Sequence, residues 1–373
     1  MVEISFFSDS QCGGIYPSNL GRCVSTLHYG ARSISAQWND AFINSSSKRI
    51  KLNSRLLPSM PNVDAVLKLR SGDQWIYEGI LIAEVEGVKE GTEVPISTIP
   101  SLLNSSKEIF ELCSEGIQND LERIKFSWRT RTLVEEERAA WAKSGVFIHG
   151  PMDKIHIAPG ARIRSCSLNT EEGEIIIGAD SELMEGCCVR GPFVLGPKSQ
   201  IKMGATVYGP TSIGENCRIG GEVNNCVFHD YSNKAHEGFL GNSVIGSWCN
   251  LGALTSSSNL KNNYSEISLW NNDSKSFEKS GMQFCGLLMG DHSKTAIHTS
   301  FNTGTIVGAF CNVFGNLTPQ KHIPSFTWGD VDIYEIEKVI DTVKRVMKRR
   351  DKDLSSEEEL NIRQLHKSST FGM

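Results

Sequence analysis

From Ile177 onward an aliphatic residue recurs at every sixth position: Ile177, Leu183, Val189, Leu195, Ile201, Val207, Ile213 and Ile219. Neither the 3.6-residue period of an α-helix nor the two-residue alternation of a half-buried strand produces that spacing. A triangular coil does, because each of its three short faces contributes one inward aliphatic that stacks on its equivalents in neighbouring coils. Gly178, Gly196, Gly214 and Gly220 follow half of these aliphatics, where a tight corner favours glycine. Small residues (Ser181, Cys187, Ala205, Thr211, Cys217) stand four places after them. The pattern predicts a mainly β fold, a parallel β-helix built from hexapeptide repeats.

The repeat begins near Ile157, is interrupted around LNTEEGE, and runs to about Val223. It breaks over Phe228–Gly238, resumes at Ile245 and Leu251, and returns after the polar excursion NLKNNYSEISLWNNDSKSFEKSG with Val307 and Val313 in register. Of the 34 glycines, 24 fall within residues 145–330, so the glycine surplus belongs to this region alone. The expected organisation is a small α/β domain with a connecting helix over 1–144, the β-helix over 145–330, and a C-terminal amphipathic helix with a tail over 331–373.

In the first region, apolar runs at Ile4–Phe7, Arg49–Leu57 and Gln74–Val85 read as strands. A helix is expected over Asn62–Leu69, after a turn marked by Pro58 and Pro61 and with Asn62 as its N-cap. A second is expected over Asp120–Lys143, with Leu121, Ile124 and Trp128 on one stripe, lying on the end of the solenoid. Beyond Asp330, Ile336, Val339, Ile340, Val343 and Met347 recur at helical spacing. The basic run Lys344, Arg345, Lys348, Arg349 and Arg350 is expected on its solvated face. The last twenty residues are polar and expected to be loose.

A net charge of −5 supplies no basic field, so nucleic acid is not the expected partner. The chain has no apolar run of membrane-spanning length and no export signal at its N-terminus, which predicts a cytoplasmic protein without a membrane partner. Eleven cysteines without a C-x-x-C pair read as buried, reduced thiols.

Excursions from a solenoid commonly carry its chemistry. HDYSNKAHEGF therefore draws attention first, because His236 can take a proton near neutral pH and lies beside Asn233, Lys234 and Glu237. Glu222 and Asp230 are candidates to orient it, and Asn259 and Lys261 are candidates to line the same cleft. His292 and His298, six residues apart, are expected on one face. No third ligand accompanies them, so no metal site is expected.

The block GGEVNNCVFHDYSNKAHEGFLGNSVIGSWCNLGALTSSSNLKNN, with MGDHSKTAIHTSFNTGTIVGAFCNVFG after it, resembles the left-handed β-helix acetyltransferase domain of the bifunctional GlmU family. The whole chain resembles GlmU-like sugar nucleotidyltransferases in which a shortened N-terminal domain precedes that β-helix. The resemblance implies a left-handed coil, acetyl-CoA as acyl donor, a sugar phosphate or nucleotide sugar as partner, and a homotrimer with active sites between subunits. Lys234-Ala235-His236 stands where the family has Lys-Ala-Gly-His, which implies His236 as general base. It also implies substrate contacts from Glu222, Asn224, Asn233, Lys234, Asn259 and Lys261. Asn224 replaces a family lysine, and Phe239 and Leu260 replace tyrosines, so the sugar pocket differs.

The N-terminal resemblance is weaker. FFSDSQCGGIYPSNLGRC contains Gly13-Gly14 but not the family's G-x-G-[TS]-R loop. In KLNSRLLP, Ser54 and Arg55 replace the expected glycine and metal-binding aspartate. Mg²⁺ is expected only if this domain is active, and little nucleotidyl transfer is expected. Sugar-1-phosphate nucleotidyl transfer and a non-catalytic sugar-nucleotide-binding or scaffold role stand as the alternatives.

Overall fold

The computed structural model describes residues 2–43, 48–87 and 92–370. From Phe147 the chain winds into a parallel β-helix. On its first face Ile157 pairs with Ile177, Ile177 with Leu195 and Leu195 with Ile213. The second face stacks Leu183, Ile201 and Ile219, and the third stacks Leu168, Val189 and Val207. Apart from half-buried Ile157 at the end of the first column, these inward residues are buried and form one continuous core, as the period of six predicts. Of the predicted corner residues, Ser181 closes its corner by donating its hydroxyl to the Gly178 carbonyl at 2.6 Å. A Cβ on Gly196 would lie 2.4 Å from the Gly214 carbonyl carbon, so this corner stacks only because side chains are missing from it. Cys187 points inward while its neighbour Cys188 is exposed, and all eleven cysteines are free.

Residues 229–238 do not project as a loop. Asn233–Lys234 is a second-face strand that pairs with Arg218–Ile219. The repeat disappears from the sequence here for two reasons. The step of eighteen that separates Ile201 from its partner Ile219 shortens to fifteen between Ile219 and Lys234, and a lysine occupies the inward aliphatic position. The excursion that does leave the solenoid contains an antiparallel hairpin, Ser268–Asn271 with Ser276–Lys279.

The N-terminal region builds a five-stranded sheet in the order Glu3–Phe7, Arg49–Asn53, Ile80–Val85, Asp73–Tyr77, Thr92–Glu93. Helices α1 (Ile34–Ala41) and α2 (Met60–Lys68) accompany it. Asn62 is not the N-cap of α2. Ser59 precedes the helix, and the buried Asn62 amide donates to the carbonyls of Leu57 and Ser101 at 2.8 and 3.1 Å.

The single helix expected over Asp120–Lys143 is two. After α3 (Glu108–Glu111), α4 (Cys113–Ser127) stops before Arg129, whose φ is +51°. The β-branched run beyond it then places Arg131–Thr132 antiparallel to His156–Ile157, before α5 (Arg138–Lys143).

Only the second half of that expected stretch sits at the end of the solenoid, where Arg131–Thr132 extends the first face beyond His156–Ile157 and Leu133 and Trp141 join its core; the rest of the N-terminal region does not. Side chains alternate across a strand, so the residues between the inward ones of the first face point outward. Ile176, Val194, Val227, Val244, Leu288 and Ile306 hold those positions, and all are buried in one cluster with the N-terminal core. Helices α3 and α4 pack along this flank.

Helix α6 (Ile336–Lys348) buries Val339, Ile340, Val343 and Met347, as its spacing predicts. It covers a ladder of rings at one corner of the coil: Tyr231, Trp248, His292, Phe310 and Phe326, every one with φ between 59 and 64°. Their centroids follow at 4.1, 6.0, 5.1 and 5.0 Å. His292 belongs to this ladder, whereas His298 is exposed at the next corner. The expectation that they share a face fails because a six-residue step advances one face around a three-faced coil. The tail is not loose through residue 370, and residues 371–373 lie outside the described residues. Helix α7 (Ser356–Thr370) buries Ile362 against α6, and Arg363 pairs with Glu337 at 2.6 Å.

Candidate functional site

The third face and the corner leading into it gather most of the predicted site. Glu222 lies in register with Phe239, and Asn224 with Gly241. Because Gly241 has no side chain, the Asn259 amide and the Phe239 ring close over it: a Cβ there would meet Asn259 Nδ2 at 2.5 Å and Phe239 Cζ at 2.7 Å. Asn259 Nδ2 also donates to Asn242 Oδ1 at 2.8 Å, which fixes its orientation. His236 stands exposed at the corner three residues before Phe239. Glu222, Asn224, His236 and Asn259 therefore belong to one side of the solenoid.

The structure separates four other candidates from this group. Lys234 points into the coil, 1% exposed, and its ammonium donates to the carbonyls of Gly220 at 2.7 Å and His236 at 2.8 Å. Burial pushes its pKa down to about 8. In that position it braces the corner from behind and does not face a ligand. Asn233, on the outer side of the second face, accepts a hydrogen bond from Arg350 at 3.4 Å. Lys261 is taken up by the excursion, where its ammonium donates to the Glu266 carbonyl and to Ser265 Oγ at 3.4 Å. Asp230, proposed to orient His236, instead pairs with His28 of the N-terminal region at 3.4 Å.

Exposed apolar side chains follow second-face strands at the corner that carries His236: Leu254, Ile297 and Leu317 in the three coils after it, and Met203 two coils before it. Sequence reasoning overlooked them, although each follows its inward residue by two to four places. Among the described residues no group of three or more metal-binding side chains comes together. No helix among them is long and apolar enough to cross a membrane.

In the N-terminal region, Arg55 occupies the place where a metal-binding aspartate would be expected. Its side chain is 0% exposed. It donates to Asp9 Oδ2 at 2.6 Å, Asn104 Oδ1 at 2.7 Å and Gln11 Oε1 at 3.0 Å. Burial alone would raise the Asp9 pKa, but hydrogen bonds from Arg55 and Asn53 hold this carboxyl below its ordinary value. The loop after the first strand is thus tied to the following strand by an internal cation.

Fold and site together define a parallel β-helix protein of the hexapeptide-repeat class, with an α/β region laid along one flank. No protein-family profile matches the chain. The bifunctional protein GlmU of Methanocaldococcus jannaschii is 28% identical over 128 residues, which is 34% of this chain and 30% of that protein. The chain thus matches under a third of that relative's length. A solved Arabidopsis UDP-N-acetylglucosamine acyltransferase covers 60% of this chain and 88% of its own at 14% identity, with a TM-score of 0.21, too low to carry an argument. Over its 128 matched residues the chain is similar to a GlmU protein.

Proposed function

We propose that this protein is a transferase, an acyl-CoA-dependent N-acetyltransferase whose acceptor is an amino sugar or sugar phosphate. The observation that carries the reading is the cluster at one corner: an exposed histidine braced from behind by a buried lysine, beside a face presenting Glu222, Asn224 and an anchored Asn259. In the proposed reaction the acceptor amine attacks the thioester carbonyl of acetyl-CoA while His236 takes the amine proton. The second N–H of Asn259 steadies the oxyanion. Collapse of the tetrahedral intermediate breaks the C–S bond, and the CoA thiolate leaves and takes up a proton.

Glu222 and Asn224 are assigned to the acceptor's hydroxyl groups. The exposed apolar row beside His236 supports an assembly in which a second copy covers that corner and completes the site, in keeping with a homotrimer. Arg55 weighs against nucleotidyl transfer, since a buried cation stands where Mg²⁺ would have to bind.

The test is thiol release from acetyl-CoA against a panel of amino sugars and their phosphates. Turnover with at least one acceptor is expected. Absence of turnover across the panel overturns the reading.

A further inference from the structure

The basic run at the end of α6 is not simply a solvated face. On the outer side of the second face, Arg218, Asn233, Asn250 and Lys294 stand in register on successive strands. At the usual strand spacing, Arg218 and Lys294 are roughly 14 Å apart with two amides between them. The end of α6 passes over this row, so that Arg349 and Arg350 close a cavity of about 350 Å³ floored by Asn233, Asn250 and Lys294.

Three cations, Lys294 from the solenoid and Arg349 and Arg350 from the end of α6, thus line the cavity, and Arg218 adjoins it at the end of the row. Among the described residues none of them is in an ion pair, although neighbours on the same helices are: Lys344 with Glu359 at 2.7 Å, and Lys348 with Asp353 at 3.4 Å. Their hydrogen bonds go to neutral groups. Arg350 donates to Asn233, Arg218 to the carbonyls of Lys198 and Cys217, and Lys294 to the His292 carbonyl at 2.8 Å. Of the acids nearby, Glu182, two strands before Arg218 on the same row, is paired with Arg162 at 3.4 Å, and Glu215 is engaged by the Tyr231 hydroxyl at 2.9 Å. Burial, and then the charge of Arg350, depress the pKa of Arg218, so these groups repel one another across the cleft. A helix C-terminus, carrying about half a negative charge, accounts for basic residues on α6 but not for Arg218 and Lys294 on the solenoid.

We infer that this cleft binds a small molecule bearing a diphosphate. One phosphoryl group is held by the paired guanidinium groups of Arg349 and Arg350, and the other lies along the amide row toward Lys294. Guanidinium forks match phosphate oxygens in geometry as well as charge, and the Asn233 and Asn250 amides supply neutral donors between the cations. Nothing in this inference depends on the acyl-transfer site, which occupies the opposite end of Asn233–Lys234 and the third face.

The test is calorimetric titration of the full chain with inorganic pyrophosphate, inorganic phosphate and ADP at two salt concentrations. Pyrophosphate is expected to bind once per chain, at least about tenfold more tightly than phosphate and more weakly as salt rises. ADP binding more tightly than pyrophosphate identifies a nucleoside diphosphate as the occupant; equal affinities identify the diphosphate alone. The double substitution Arg349→Gln with Arg350→Gln, and independently Asn250→Asp on the exposed floor, are each expected to weaken binding at least about tenfold without lowering Tm. Lys344→Gln, on the same helix but outside the cleft, is expected to leave it unchanged. No measurable pyrophosphate binding, or binding that all three variants retain, overturns the inference.

Discussion

Replacing Lys234 with methionine isolates the energetics of a cation placed in an aliphatic column. Lys234 is 1% exposed, and burial takes its pKa from 10.5 down to about 8. That depression corresponds to a penalty of about 3 kcal/mol on the charged form. Below pH 8 both folded and unfolded chains carry the proton, and the folded state bears the full penalty. Between 8 and 10.5 the unfolded chain binds a proton that the folded chain has lost, so this group makes stability rise with pH. Several buried thiols act in the opposite direction: burial raises Cys249 and Cys311 to about 12, which makes stability fall above the ordinary thiol pKa. Those contributions are common to both proteins and cancel in the difference.

Lys234→Met is therefore expected to have its greatest stability relative to the wild type near neutral pH, and to lose about 2 kcal/mol of that margin between pH 8 and about 9.5. The lost bonds to Gly220 and His236 shift the difference by a constant and leave its slope untouched. Urea denaturation of both proteins across that range measures it. A stability difference that does not change with pH would refute a strained, buried ammonium at this position.

Two further perturbations probe the scaffold. Gly196→Ala would force a Cβ to 2.4 Å from the Gly214 backbone; it is expected to lower stability by more than about 3 kcal/mol, and a loss below about 1 kcal/mol in thermal or urea denaturation would show that the corner can relax. Arg55→Met strands the Asp9 carboxylate and is expected to cost about 3–5 kcal/mol, read as early melting of the N-terminal region, while the unmodified chain releases no pyrophosphate from a nucleoside triphosphate and a sugar-1-phosphate in the presence of Mg²⁺. Detection of such release would contradict the placement of Arg55.

The coil was legible because its core is repetitive: each inward aliphatic from Ile177 to Ile219 recurs at a fixed interval, and the geometry that demands the interval is simple. The position of the N-terminal region was also written in the chain, in the paired apolar residues before most first-face glycines (Ile176-Ile177, Val194-Leu195, Val244-Ile245), Ser212-Ile213 before Gly214 being an exception. A coil buried on one side only needs a single apolar residue at that point, so the second one signals a covered face. The coil through Lys234 was hidden because its core position is charged and its corners are shortened, which makes a regular strand look like an insertion. Helix α7 was obscured because most of its polar residues are solvated, and only Ile362 is fully buried against the neighbouring helix. Of the site residues, those on the third face follow from register alone. Asn233 and Lys234 are adjacent in sequence but point to opposite sides of a strand, a separation that treating the segment as a loop conceals.

The central claim is that His236 acts as the base in acyl transfer. It is tested most directly by kcat for CoA release with the best acceptor, comparing wild type with His236→Ala. The account predicts a fall of about 10²- to 10⁴-fold in kcat with the fold and acetyl-CoA binding intact. A variant that turns over within about twofold of the wild type would contradict it.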